Sequence, residues 1–185
     1  MVDPSEAELI ARSLDGDNGA FTTLLGHHDD KMRGLAYRML GSQAAMDDAL
    51  QDAYLKAYRS LPRFHGDSSF ATWLYRIVSR TCIDHGRRRD RRREVPLEMV
   101  AAITTDHLAS VDQQVADRSA LGAALRELPA KQRLAVILVD GEGLSYDQAA
   151  DVLGTRPGTV ASRLSRARSS LRAALGASPE GESDD

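Results

Sequence analysis

The chain has 185 residues, 42% apolar and 28% charged, with a formal charge of −3, which suits one ordinary globular domain or two small ones. Its longest apolar run, LAVILV at 134–139, is far short of the roughly 20 residues that cross a bilayer, and the N-terminus MVDPSEAELIARS is acidic where a targeting segment is basic and then apolar; a cytoplasmic protein without membrane insertion is expected. Cys82 is the single cysteine, so an intramolecular disulfide is impossible, a thiolate metal site is disfavoured, and packing as a small apolar residue is the expected role.

In chain order, residues 1–30 carry seven acids against one arginine, a net −6. HHDD at 27–30 has metal-ligand residue types, but adjacent residues on a helix point apart and cannot converge on one ion by themselves. No metal or other cofactor is expected. The stretch SQAAMDDALQDAYLKAYRSLP then places Met46, Leu50, Ala53, Ala57 and Leu61 at helical spacing and stops at Pro62. Asp48, Gln51 and Asp52 share one face of that helix, with like charges at i,i+4 that disfavour it by roughly 0.2–0.5 kcal/mol. Such a strip suits a basic protein partner; a solubilising face favoured by the helix dipole is the equally open alternative.

FHGDSSFATWLYRIVSRTCIDHGRRRDRRR, from Phe64 to Arg93, joins aromatic residues to a block of arginines. At about 100° per residue, Phe70, Leu74, Ile77, Val78 and Thr81 share one side of a helix over 70–87. Trp73, Arg76, Arg80 and Arg87 fall within roughly 60° of one another on another side. A ring among cations is the arrangement that holds single-stranded nucleic acid, with bases stacking on the ring and cations following the phosphates. The competing reading buries Trp73 and lets Asp84 neutralise Arg80 and Arg88. Gly86 weakens the last turn, so fraying of the RRRDRRR block is expected.

Residues 94–118 combine a proline, weak periodicity and a net −4, and are read as a linker. Beyond it, residues 119–176 hold four helical runs separated by Pro129, DGEG and GTRPG. A short helix from about Asp147 to Leu153 ends at Gly154 and another opens with Pro157, which is helix-turn-helix spacing. Val160, Leu164, Ala167 and Leu171 form the buried stripe of the second helix. Arg156, Thr159, Ser162, Arg163 and Arg166 are left near its exposed N-terminal half, where a recognition helix meets base edges. Five arginines and no acid occupy 156–172; a solvated structural helix would more often intersperse Glu at i,i+4. The tail 177–185 lacks a core-forming apolar pattern and is expected to be disordered.

Together these segments resemble the sigma-70 family of bacterial RNA polymerase specificity subunits, in the two-domain group called extracytoplasmic-function sigma factors. DDALQDAYLKAYRSL is similar to the family's polymerase-binding helix, FHGDSSFATWLYRI with IDHGRRR to its promoter-melting segment, and LPAKQRLAVILVDGEGLSYDQAADVLGTRPGTVASRLSRARSSL to its upstream-element reader. The resemblance implies that Asp48, Gln51 and Asp52 meet core RNA polymerase, and that RFHGDSS, with Phe64 and Lys56, helps form a pocket for a base flipped from the non-template strand. It implies promoter DNA as the nucleic-acid partner, duplex reading near minus 35, and an anti-sigma protein as a second partner. Two positions depart from the family: Arg80 stands where asparagine is usual, which leaves the captured base open, and Gln148 replaces a common glutamate.

The expectation is therefore an all-α protein of two helical domains, 1–93 and 119–176, that acts as a non-enzymatic initiation factor. A stand-alone helix-turn-helix regulator would explain residues 119–176 but leave the ring-and-arginine face idle. A base-flipping enzyme needs a catalytic constellation, and no convincing carboxylate pair, metal set or nucleophile–base pair is present in the sequence.

Overall fold

The computed structural model describes residues 4–94 and 113–176, and among them there are helices and no strands. The tail and most of the segment read as a linker lie outside the described residues. The first half contains α1 (Glu6–Leu14), α2 (Asn18–Gly26), α3 (Asp29–Leu40), α4 (Gln43–Ser60), a 3₁₀ turn at Leu61–Arg63 and α5 (Phe70–Glu94). The second contains α6 (Gln113–Glu127), α7 (Ala130–Val136), a π-helical turn at Ile137–Gly141, α8 (Tyr146–Leu153) and α9 (Pro157–Ala174).

Local chemistry fixes many helix ends. Ser5 and Ser145 form capping boxes with Glu8 and Gln148, and Asp17 and Ser42 accept from the backbone at the heads of α2 and α4; each such cap is worth about 1 kcal/mol. α4 ends where Pro62 enters the following turn, and its stripe Met46, Leu50, Ala53, Ala57 and Leu61 is buried. α5 does not fray at Gly86; the helix continues to Glu94. The i→i−4 ladder outlasts the single glycine, whose propensity deficit is only about 1 kcal/mol.

The two halves pack against each other. One apolar cluster runs from Leu24, Met32, Leu35, Phe70, Leu74 and Val78 into Ile137, Leu138, Ala150 and Val160. A smaller cluster, Leu125, Leu128, Val136, Leu164 and Ala167, belongs to the second half alone. α5 packs on α3, α4 and α8.

Polar contacts stitch the seam between the halves. At the exit of the π turn, Glu142 N–H donates to Ile137 and Leu144 N–H to Leu138, while Gly143 adopts φ 71°, a conformation that suits glycine. The turn aims Glu142 back at the first half, where it accepts from the Arg38 guanidinium and from Tyr75 Oη at 2.8 Å, with its side chain only 7% exposed. Burial, and then the hydrogen bond to Glu142, push the Tyr75 pKa up, so the phenol remains a donor. Arg133 Nη1 donates to the Met39 carbonyl at 2.6 Å, and Arg76 Nε to the Asp151 carbonyl at 3.1 Å.

Candidate nucleic-acid interface

The loop before α5 is shaped by Gly66 at φ 78° and by Ser69, whose Oγ accepts from Thr72 N–H at 3.1 Å. This delivers Phe64 onto the first turn of α5. Phe64, Phe70 and Trp73 form a three-ring cluster with centroids 5.3–5.8 Å apart, within the range of favourable aromatic pairs. Phe70 is buried, whereas Phe64 and Trp73 are half-buried. The indole is neither sealed inside nor fully in water: its packed side is held by two rings.

On the apolar side of α5, Phe70, Leu74, Val78 and Thr81 are buried and Ile77 is half-buried. Arg76, Arg80 and Arg87 follow Trp73 along the other side. Arg80 and Arg87 are exposed, while Arg76 is half-buried and one of its donors is taken by Asp151 of α8. Asp84 makes no ion pair with Arg80 or Arg88 among the described residues. Lys56 Nζ donates to Thr81 Oγ1 at 3.1 Å, eight residues and therefore roughly 12 Å along the axis from Trp73. The structure thus groups Phe64 with Trp73, and ties Lys56 to the packed side of α5 away from both rings.

Asp48 and Gln51 are exposed on α4. Asp52 is half-buried and accepts from His85 Nε2 of α5 at 2.9 Å when that nitrogen carries the proton; this bond holds its carboxyl below the usual carboxylate range. The acidic strip is therefore partly engaged from within. His28 lies against Phe70 and within hydrogen-bond reach of Glu6, and Asp29 accepts from Tyr54. Structural contacts absorb these two residues of HHDD, and no metal-holding group is present among the described residues.

In the second half, α8 begins at Tyr146, one residue earlier than expected, and ends with Gly154 at φ 61°, where Gly154 and Thr155 N–H groups return to Asp151 and Ala150. α9 then starts at Pro157. Val160, Leu164 and Ala167 are buried, and Leu171 is half-buried at the far end of the stripe. Arg156, Ser162 and Arg166 are exposed; Thr159 and Arg163 are half-buried, with Arg163 Nη1 fully covered. Ser162 Oγ donates to the Thr159 carbonyl, which fixes its hydroxyl. Arg168, further along α9, forms a two-pronged pair with Asp140 of the π turn at 2.6 and 3.1 Å.

Sequence reasoning misses the seam residues Glu142, Arg38, Tyr75 and Asp151. The one available signal is a carboxylate between two glycines in DGEG, a position that a purely solvated turn does not require.

The family described as "Sigma-70 region 2" matches residues 24–92, and "Sigma-70, region 4" matches residues 118–171. The "ECF RNA polymerase sigma factor SigM" of Mycobacterium tuberculosis is 40% identical over 172 residues, covering 93% of this chain and 85% of the relative. The "RNA polymerase sigma-H factor" of Pseudomonas aeruginosa is 35% identical, covering 95% and 96%. Among solved structures, CnrH in complex with the cytosolic domain of CnrY superposes with a TM-score of 0.70 at 26% identity, covering 93% of this chain and 97% of that one. RpoE in complex with the anti-sigma factor NepR from Bartonella quintana gives 0.66 at 30%, covering 85% and 97%. Two family matches in the expected order, on a fold that carries a ring-and-arginine helix and a helix-turn-helix, place this chain in the sigma-70 family, among the extracytoplasmic-function RNA polymerase sigma factors.

Proposed function

We propose that this sigma factor divides promoter recognition between α5 and α9. Trp73, with Phe64 behind it, Arg76 and Arg80 within two turns of it and Arg87 further along α5, captures a strand of the opening bubble near minus 10. Arg156, Thr159, Ser162, Arg163 and Arg166 read the duplex near minus 35. Lys56 follows a phosphate of the captured strand from α4, and Asp48, Gln51 and Asp52 dock on core RNA polymerase. Residues 1–93 and 119–176 are the working domains, 94–118 the connector and 177–185 an acidic tail. The factor works in the cytoplasm, and an anti-sigma protein is its second partner, as NepR is for the solved RpoE.

The observation that carries this reading is the half-exposed indole on the same side of one helix as two exposed guanidiniums. An ordinary core helix needs no such pairing, whereas base stacking on a ring contributes roughly 1–3 kcal/mol per base. Strand separation then requires no nucleotide hydrolysis by this chain, because bases trapped on α5 offset the few kcal/mol of unstacking. Run-off transcription with purified core polymerase tests it. Wild type is expected to initiate on linear and pre-melted promoter templates, and α5 variants only on the pre-melted one. Inactivity of wild type on both, with core binding intact, refutes the reading.

A further inference from the structure

At the seam, the last turns of α5 face the end of α6 and the start of α7 across a cleft of about 570 Å³. Four arginines from three helices line it, Arg87 and Arg89 from α5, Arg126 from α6 and Arg133 from α7, against only Asp90 and Glu127. The excess is two positive charges. None of the four arginines forms an ion pair among the described residues.

Three of these cations have contacts that position them, while Arg87 is exposed at the mouth. Arg133 is anchored by the carbonyls of Met39, Arg126 and Leu128, while its Nε is covered and without a partner. Arg89 donates to the Leu40 carbonyl. The Arg126 stem crosses from α6 onto Gly41, where a Cβ would fall 2.8 Å from Arg126 Cδ, and Gly41 has φ 67°. Burial lowers the Arg133 pKa, and repulsion from Arg126 and Arg89 adds to it against the pull of Asp90 and Glu127. Like charges are thus gathered, two of them on carbonyl anchors, beside the apolar Leu40, Ile83 and Leu128.

We propose that this cleft is a binding site for a small oligophosphate, a compound with two or more adjacent phosphates. Guanidinium forks match phosphate oxygens two at a time. The volume lies in the usual range of small-molecule sites, and these apolar side chains can take a flat apolar group attached to the phosphates. Because one wall belongs to α5 and the other to α6 and α7, the ligand bridges the two halves and stabilises their packed arrangement by mass action.

Isothermal titration of the full chain at fixed ionic strength, with pyrophosphate, tripolyphosphate, ATP and sulfate, tests the site. Tripolyphosphate is expected to bind one to one, about tenfold or more tighter than sulfate, and to raise the melting temperature. The R87A/R126A double variant is expected to weaken it at least about tenfold, whereas R59A/R172A, which removes the same charge elsewhere, stays within about threefold. The four substituted residues are exposed, so both variants keep their cores. ATP tighter than tripolyphosphate assigns the apolar side chains to a base; equal affinity assigns the site to the phosphates alone, and either ranking supports it. Equal losses in the two variants, or tripolyphosphate no tighter than sulfate, overturn the site. No arm uses polymerase or promoter, so the outcome is independent of the division of labour proposed above.

Discussion

α5 and α9 are the two arginine-rich helices of the molecule, and they use their charge differently. On α5, Arg76 reaches the Asp151 carbonyl and Arg89 the Leu40 carbonyl, so part of the cationic face serves protein packing. At the head of α9 and along it, Arg156 and Arg166 are exposed, and among the described residues Arg168 alone forms an ion pair. Charge along a sequence therefore marks where a polyanion can approach, whereas the partners across the seam decide which arginines are free to meet it. α9 presents Arg156 and Arg166 ready-made, while Arg163 is half-buried and Arg168 is paired. α5 presents its own beside a second half that must be accommodated.

The strongest way to break that contrast is to open the seam. Glu142→Ala leaves Arg38 and Tyr75 facing a buried gap, and loss of one partner of a buried pair typically destabilises by 3–5 kcal/mol; with Arg38 about a third exposed, about 3 kcal/mol is expected. Urea unfolding followed by tryptophan fluorescence measures it, since Trp73 is the only indole. Glu142→Gln retains an acceptor and is expected to lose less. If both variants match wild type, the seam contributes nothing and α5 is as unencumbered as α9.

Next in size is Trp73→Ala. Removing a fully buried aromatic ring costs 3–5 kcal/mol, and for this half-buried one about 2 kcal/mol is expected. The functional loss should fall on bubble opening, read by permanganate reactivity of unpaired thymines, with upstream duplex binding retained. Unchanged reactivity removes the ring from strand capture and reduces α5 to a packing helix.

What the sequence makes legible, and what it hides, divides along the same line. The α4 stripe, the Pro157 start of α9 and the Gly154 turn are local signals, because apolar spacing and backbone preference are written within a few residues. The α5 face is legible for the same reason: 100° per residue places Trp73, Arg76 and Arg80 together before any partner is known. Glu142 and Arg38 are 104 residues apart, and neither sits on a periodic pattern that predicts the other. Non-local polar pairing leaves little local imprint beyond the carboxylate of DGEG, so the partners across the seam and the anchoring of Arg76, Arg89 and Arg133 are visible only in three dimensions. Asp52 is a smaller instance: its strip is evident on α4, but its bond to His85 depends on how α4 and α5 pack.

Arg163→Ala sharpens the account of α9. A base-edge contact is expected to be worth about 1–3 kcal/mol of discrimination at one position of the upstream element. Competition binding with single-base variants of that element measures it, and a loss uniform across all sequences reassigns Arg163 to the phosphates.

The smallest effects lie within α9 itself, where Arg166 and Arg168 are two residues apart and point to different partners. Arg168 is tied to Asp140, and both side chains are substantially exposed, at 44% and 35%, so solvent screening limits the pair to about 0.5 kcal/mol. Arg168→Ala should lower stability by about that much and leave the salt dependence of DNA binding unchanged, because this guanidinium is already occupied. Arg166→Ala should do the reverse, leaving stability intact while reducing the slope of log affinity against log salt by about 1 through loss of one phosphate contact. Equal salt slopes for the two variants would mean that the Asp140 pair dissolves on DNA and that α9, like α5, shares its cations between protein and nucleic acid.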